Sequence, residues 1–459
     1  MKYFAHSLLI LLLAGCASAP TPSEAPDINL PTAWTAAASN QDIPQNWLKD
    51  LNAPKLEALV EEAMQHNADL QRVTAVLGQS IAEARIAGAD LMPSANLGLD
   101  AARQKISTFG PSSTGGVIFE NYNLGPNLSW EIDLWGRLRN LTSAALARVE
   151  VSQAELYAAR LSLAAQVAKS WFNLVEAEQQ VAEAGRTAEA YQENLKTLES
   201  RFKRGLAEGL DLRRTRTLAA SAKADLATRR RALDAARRNL EVLLGRYPEG
   251  DIDPKRALPT LPETIPAGIP ADLIQRRPDL VAAERQLAAV DQELRARKKD
   301  LLPKISLTAS TGRSSQAFNN LLDSDFSVWS LAGNLSQPIF QGGRILANVD
   351  RSASIKEQAR AAYLNTALQA FLEVETTLAA EAYLRNEYAH LKTAADEANA
   401  AEELAWDRYR KGTSDFLNVL DSQRTAATAR ARLIRVENLL LQNRIDLYLA
   451  LGGPFTTES

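Results

Sequence analysis

The sequence predicts a mainly α-helical chain that contributes four strands to a membrane β-barrel, built as two copies of one repeat. Three observations carry that expectation. The first is an internal duplication. The stretch Gly136 to Leu244 returns as Gly343 to Leu451, and a shift of about 207 positions lays Arg201-Phe202-Lys203-Arg204-Gly205 on Arg408-Tyr409-Arg410-Lys411-Gly412 and Leu244-Gly245 on Leu451-Gly452. The second is the absence of proline between Pro126 and Pro248, and again between Pro338 and Pro454. Proline breaks helices, so each interval can hold very long ones. A single helix from Gly136 to Gly205 would run about 100 Å, a length that no ordinary globular core needs. The third is a pair of short runs ahead of each interval, in which apolar and polar residues alternate with period two.

Composition narrows the function. The chain has 459 residues with 52 basic and 55 acidic side chains, a balance that gives no pointer to nucleic acid. Alanine is heavily used in the long stretches, where it favours helix and lets helices approach closely. The single cysteine, Cys16, excludes an intrachain disulfide. Lys2 precedes an apolar run from Ser7 to Leu13, which ends in Leu13-Ala14-Gly15-Cys16. Residues 1–15 read as a signal peptide, and Leu-Ala-Gly-Cys resembles a bacterial lipobox. The resemblance implies cleavage before Cys16 and acylation of its thiol and new amino group. A signal peptide with an incidental cysteine is the competing reading. Ala17 rather than aspartate follows, which in the lipoprotein resemblance favours the outer membrane. No later run of about 20 apolar residues exists to span a bilayer as a helix, so any crossing falls to strands.

Taken in order, Ala17 to Pro31 is rich in Pro, Ala, Ser and Thr and reads as an extended tether. Trp47 to Asn67 holds a short amphipathic helix with Leu56, Leu59, Val60 and Ala63 at helical spacing. A second helix runs from Asn67 to Leu91 and stops before Pro93. Ala95, Leu97, Leu99 and Ala101 then alternate with Ser94, Asn96, Gly98 and Asp100, predicting a strand over 93–104. Lys105 to Glu120 reads as a loop. Tyr122, Leu124, Leu128, Trp130, Ile132 and Leu134 alternate with polar residues in a strand over 121–134. Helices over 136–204 and 211–245 follow. The second copy gives strands over 303–312 and 327–338, a polar loop from Arg313 to Asp325, and helices over 343–411 and 414–451. Between the copies, Pro248 to Pro278 holds seven prolines and reads as a linker laid over a surface.

Strands of about ten residues, apolar on one face and polar on the other, have the transmembrane barrel pattern. A soluble hairpin packed on a core has it too. The lipobox and the position of Trp130, Trp135 and Trp329 near strand ends, where interfacial aromatics belong, favour the membrane. Four strands cannot close a membrane barrel, which needs about eight. The barrel must be shared, and three chains with twelve strands are the simplest closure.

At this point the residues carry a family resemblance. Asn127-Leu128-Ser129-Trp130-Glu131-Ile132-Asp133-Leu134-Trp135-Gly136-Arg137 resembles the strand-to-helix signature of TolC-family outer membrane factors, as does Leu335-Ser336-Gln337-Pro338-Ile339-Phe340-Gln341-Gly342-Gly343-Arg344. Ile269 to Leu280, with Arg276-Arg277-Pro278-Asp279, resembles the inter-repeat motif of the lipoprotein branch that serves tripartite efflux pumps. One departure is Leu51-Asn52-Ala53-Pro54, where the family usually has Asp-Pro. The resemblance implies a TolC-like homotrimer with a 12-stranded barrel and a long helical periplasmic tunnel. It divides the chain into a tether and equatorial segment (16–66), a first repeat (67–245), an equatorial linker (246–278), a second repeat (279–452) and a tail (453–459). It also implies that Asn67–Leu91 stacks end to end with Asp211–Leu244, and Asp279–Leu301 with Phe416–Leu451.

The two tight turns then lie at the periplasmic tip: Arg204 to Asp211, and Lys411 to Phe416. Leu417, Asp421 and Arg424 follow the second turn at i, i+4, i+7, on one helix face. By the resemblance they form the gate, with Leu417 as an apolar constriction and Asp421 and Arg424 in inter-subunit or inter-helix ion pairs. Solvated helix charges are the competing reading, since surface pairs contribute only ~0–1 kcal/mol. Gly205, Gly209 and Gly412, beside the basic residues Arg201, Lys203, Arg204, Arg213, Arg214 and Arg216, are candidates for docking a periplasmic adaptor protein; a solvated helix end is the plainer account. An inner membrane RND-type pump would be the third partner.

Catalytic chemistry is not legible. His6 lies in the signal peptide, and His66 and His390 stand alone without metal-ligand spacing. No nucleophile set, phosphate loop or dinucleotide fingerprint occurs, so neither an enzyme nor a cofactor is expected. The conduit reading covers export for an efflux pump, with type I protein secretion as the alternative. A non-conducting, lipid-anchored helical spacer is the competing class.

Overall fold

The two proline-free intervals fold as two helical hairpins of equal size. The computed structural model describes residues 33–36, 46–51, 53–107, 116–254, 257–259, 261 and 270–453. In chain order its elements are α1 (Trp47–Asp50), α2 (Pro54–His66), α3 (Ala68–Ala89), β1 (Ser94–Ile106), β2 (Val117–Ile132), α4 (Arg137–Lys203), α5 (Gly209–Leu243), α6 (Pro270–Arg276), α7 (Pro278–Lys299), β3 (Lys304–Ser315), β4 (Ser327–Ser336), α8 (Arg344–Arg410) and α9 (Phe416–Ala450). Helices α4 and α8 have 67 residues each, and α5 and α9 have 35 each. The duplication is thus preserved residue for residue in helix length.

Glycine ends these helices in matched pairs. Gly205 and Gly412 have φ of 73° and 70°, and Gly245 and Gly452 have 76° and 62°. Each left-handed residue lets the next amide reach back to an orphan carbonyl. Leu206 N donates to Arg201 O and Thr413 N to Arg408 O, both at 2.9 Å. This is the Schellman arrangement, which a Cβ-bearing residue adopts only with strain.

Two compact units cut across the repeats rather than between them. One comprises Val76–Gln153 and Ala282–Leu364. Its strands form one antiparallel sheet in the order β1-β2-β3-β4. The helical segments of this unit follow the same order. Ser80 and Ser152 share a 2.7 Å hydrogen bond between α3 and α4, Arg285 and Glu150 pair at 3.2 Å between α7 and α4, and Lys356 and Asp291 pair at 2.6 Å between α8 and α7.

The other unit comprises the described parts of Ile28–Ala75, with Ala154–Val281 and Asn365–Ser459. Here α5, α4, α9 and α8 lie side by side, with ion pairs Arg216–Glu199 (2.8 Å) and Arg430–Glu183 (2.7 Å) and a 3.2 Å pair from Arg430 to Glu402. The expected end-to-end joins are present. Asn67 Nδ2 donates to Leu243 O at 3.0 Å, and Arg277 Nη1 donates to Ala450 O at 2.9 Å. Trp47, Trp171, Phe172 and Tyr448 are buried, each contributing on the order of 1.5–3 kcal/mol of apolar burial. Trp34 packs in a second apolar cluster with Leu273, Leu280, Ala367, Val374 and Leu447. The amides of Thr35 and Ala36 beside it donate to the Glu375 carboxylate at 2.8 and 3.0 Å.

Three expectations need correction. The loop expected over Lys105 to Glu120 is shorter, because cross-strand pairs continue to Ile106↔Val117 and Arg103 pairs with Glu120 at 3.2 Å. The polar loop from Arg313 to Asp325 begins as strand, to Ser315, and then makes two 3-10 turns, Phe318–Leu322 and Ser324–Phe326. The linker Pro248 to Pro278 is not wholly irregular: α6 forms within it, with Leu273 buried against the second cluster. A seven-residue helix has no stability of its own and depends on such docking.

Candidate channel wall and tip

The wall is the four-stranded sheet. Along the middle of the sheet its register joins apolar residues to apolar ones and polar residues to polar ones. On one face Leu128 lies opposite both Ala95 and Ala309, Trp130 opposite Leu307, and Ile305 opposite both Ile132 and Leu335. On the other face Asn127 lies opposite Asn96 and Ser310, and Ser310 opposite Ser330. A slip of one residue would mix the faces, so the alternation and the pairing agree. The apolar face is open: Leu97 is 76% exposed and Leu331 71%. From Tyr122 to Ile132 it extends roughly 34 Å along β2, or about 26 Å of height at a ~40° tilt, close to the apolar band of an outer membrane barrel. The Arg103–Glu120 ion pair closes its far end.

Gly125 and Gly312 mark a close approach inside the wall. A Cβ on either would overlap the backbone of the opposite strand, at Thr311 O and Leu124 O. The neighbouring Pro126 has no N–H to donate, and the β2–β3 pairs skip from Leu124↔Arg313 to Asn127↔Ser310. Among the described residues β1 pairs only with β2, and β4 only with β3. Two sheet edges are therefore without a partner.

Strand passes into helix at the Trp130–Arg137 motif. Asp133 accepts from Leu138 N and Arg139 N at 3.0 and 2.8 Å, capping α4. Trp130 Nε1 donates to Leu91 O at 3.0 Å and Trp135 Nε1 to Pro303 O at 2.8 Å. Both indoles tie the strand ends to neighbouring chain and satisfy their single donor.

The tip is built around the second turn. Phe416 sits among Tyr191, Leu198, Leu212, Ala405, Val419 and Leu420. Tyr409 and Phe416 ring centroids are 5.0 Å apart, and Arg201 lies 5.3 Å over the Tyr409 ring while donating to its hydroxyl. A cation over an aromatic face gains from the ring quadrupole. In the duplicated frame Phe416 falls where the first copy has Gly209, so only one turn carries the aromatic plug. Behind it, Asn194 Nδ2 donates to Gln423 Oε1 at 2.7 Å, and Arg430 reaches Glu183, Asn399 and Glu402. Burial disfavours the Arg430 charge, but the Glu183 and Glu402 carboxylates hold its pKa above the ordinary arginine value.

Leu417, Asp421 and Arg424 all lie exposed on one face of α9. Asp421 and Arg424 pair at 2.7 Å, one turn apart within this helix. Residues three apart on a helix are neighbours, and in the single chain the two side chains meet along α9, beside the inter-subunit or inter-helix pairing expected of them. Gly205 and Gly412 occupy matching left-handed turn positions, whereas Gly209 is an ordinary first residue of α5. Leu206 and Leu210, 61% and 56% exposed, flank the first turn. Cys16 and the tether lie outside the described residues. Sequence reasoning missed the Arg201–Tyr409–Phe416 cluster and the Arg430 knot. The only available signal was the aromatic pair Phe202 and Tyr409 at matching positions of the duplication.

Comparison with known proteins gives one answer. The family model described as outer membrane efflux protein matches residues 59–246 and 269–453. The chain is 31% identical to the outer membrane protein OprJ of Pseudomonas aeruginosa, over 97% of this chain and 94% of that protein. It is 30% identical to the pyoverdine export outer membrane protein OpmQ of the same organism, over 100% and 98%. Among solved structures it is similar to the outer-membrane channel OprN, with a TM-score of 0.85 and 27% identity over 95% of this chain and 99% of that one. It is similar also to the open state of the Neisseria gonorrhoeae MtrE outer membrane channel, with a TM-score of 0.83 and 29% identity over 97% and 100%.

Proposed function

The chain belongs to the outer membrane efflux protein family and is an outer membrane efflux channel, and from that premise we propose that three copies close one 12-stranded barrel, anchored by acylated Cys16. The observation that carries this reading is the sheet: an exposed apolar face bounded by two strand edges without partners. One chain supplies half the strands of the smallest barrels. The β1 edge of one copy would pair with the β4 edge of the next, which removes every free edge. The apolar face then meets lipid, and the Asn, Ser and Thr face lines a water-filled bore. Such a wall conducts passively; energy comes from an inner membrane RND-type pump, and no catalytic group is required of this chain.

At the tip, Leu417, Asp421 and Arg424 are read as the periplasmic gate, and Gly205, Gly209 and Gly412 as part of the surface that a periplasmic adaptor engages. An adaptor opens the tip only if it binds the open form better than the closed one. The test is membrane fractionation of the full-length Cys16→Ser variant. The barrel reading expects it to stay in the outer membrane fraction after high-salt and alkaline washes and to run as a trimer in mild detergent. A soluble, monomeric variant would overturn the barrel and leave only the tether.

A further inference from the structure

Resting on the barrel reading, we propose that the β3–β4 loop is seated in the lipid interface as a collar outside the wall, and is not a lid across the bore. The argument is one of parity. Along β3, Ile305, Leu307 and Ala309 share a face, and strict alternation continues it to Thr311, Arg313 and Ser315; the β2 pairing runs through Tyr122↔Ser315 without a change of register. Tyr122, Arg313 and Ser315 therefore stand on the apolar face. Those three residues hold the loop. Ser315 Oγ accepts from Ala317 N at 3.1 Å, and Arg313 Nη1 donates to Leu321 O at 3.4 Å. The Phe318 ring meets Tyr122 edge-on, with centroids 5.7 Å apart.

With Leu321 only 4% exposed, the loop is pinned to this face. Two of its apolar side chains stay open to the surroundings: Phe318 is 63% exposed in spite of its edge contact with Tyr122, and Leu322 is 81% exposed. Phe318 and Leu322 lie at the Tyr122 end of the apolar band, the end that the Arg103–Glu120 ion pair closes and the level where a bilayer passes from acyl chain to headgroup. Aromatic and aliphatic side chains beside charged ones suit that boundary. The occupant is lipid, because the patch continues the lipid-facing band and, among the described residues, the side chains that hold the loop all stand on the apolar face.

The experiment uses the full chain with Cys16 replaced by serine and single cysteines at Leu322, Leu331 or Ser330, labelled with an environment-sensitive fluorophore and reconstituted in phosphatidylcholine vesicles. Nitroxide lipids should quench the labels of Leu322→Cys and Leu331→Cys, and aqueous iodide should quench that of Ser330→Cys on the polar face. Quenching of the Leu322→Cys label by iodide alone, with the Leu331→Cys label still quenched by lipid, overturns the collar and spares the barrel. Loss of lipid quenching at the Leu331→Cys position overturns both. As a second readout, deletion of 317–325 should leave single-channel conductance unchanged; a rise in conductance would mean that the loop obstructs the bore.

Discussion

Asp421 and Arg424 close a 2.7 Å ion pair one turn apart on α9, yet their side chains remain 63% and 67% exposed. Water screens a pair this open, so it contributes ~0–1 kcal/mol to folding. If the pair has a purpose it is positional. The double variant Asp421→Ala with Arg424→Ala should keep the unfolding free energy within about 1 kcal/mol of the parent, while conductance in planar bilayers rises. Unchanged conductance would remove both residues from the gate.

The turn next to them gives the opposite expectation. Phe416 is 8% exposed and touches both Trp406 and Tyr409. Phe416→Ala should cost about 3–5 kcal/mol locally, by lost contact and a residual cavity. Hydrogen exchange should speed up in residues 405–420 and 191–212. The glycines separate folding from docking: Gly412→Ala strains a φ of 70° and should cost about 1 kcal/mol, whereas Gly209→Ala, at a helix start, should leave stability unchanged. Weaker adaptor binding in Gly209→Ala would therefore report contact alone.

The two faces of the sheet predict different tolerance to charge. Leu331 lies mid-band on β4, opposite Ala309, and Ser330 is its neighbour on the other face. Leu331→Arg should cost about 2–4 kcal/mol of barrel stability, as a charge facing lipid near mid-depth does. Ser330→Arg should leave assembly intact and shift ion selectivity toward anions. Heat-dependent gel mobility of the proposed trimer and reversal potentials read the two effects. Equal tolerance at both positions would refute the facial assignment.

Tyr448 supplies a pH dependence. It stacks on Trp47 at 5.8 Å and donates to Asp50 at 3.1 Å, and burial followed by the Asp50 charge pushes its phenol up to about 12. A raised folded pKa means that the folded state keeps a proton that the unfolded chain releases near pH 10. The contribution is complete below about pH 10 and is lost as pH rises toward 12. Urea midpoints should fall across that window in the parent and fall less in Tyr448→Phe. Identical slopes would show that Tyr448 is not responsible.

Much of this was legible before any fold was seen. Gly205, Gly245, Gly412 and Gly452 stop helices because only glycine takes the left-handed backbone without strain, and that property belongs to the residue wherever it sits. Alternation in Ala95–Ala101 and Ile305–Ala309 fixes which side chains share a face, since the period of a strand is two. The strand ends were not legible. Ile106, Val117 and Ser315 lie among polar and glycine-rich residues, and it is pairing across the hairpin that makes them strand.

Local residue chemistry by itself determined where the helices break, that two copies of one plan exist, and which face of each strand is apolar. Only the tertiary structure decided which charges meet. Glu183, Glu381 and Glu402 look alike along their helices until Arg430 and Arg444 arrive from α9, more than 20 positions away in sequence in every case. It likewise decided that the β3–β4 loop turns onto the apolar face, and that Pro270–Arg276 is helical. Those outcomes depend on long-range contacts, whose free energy exists only once distant segments have been brought together.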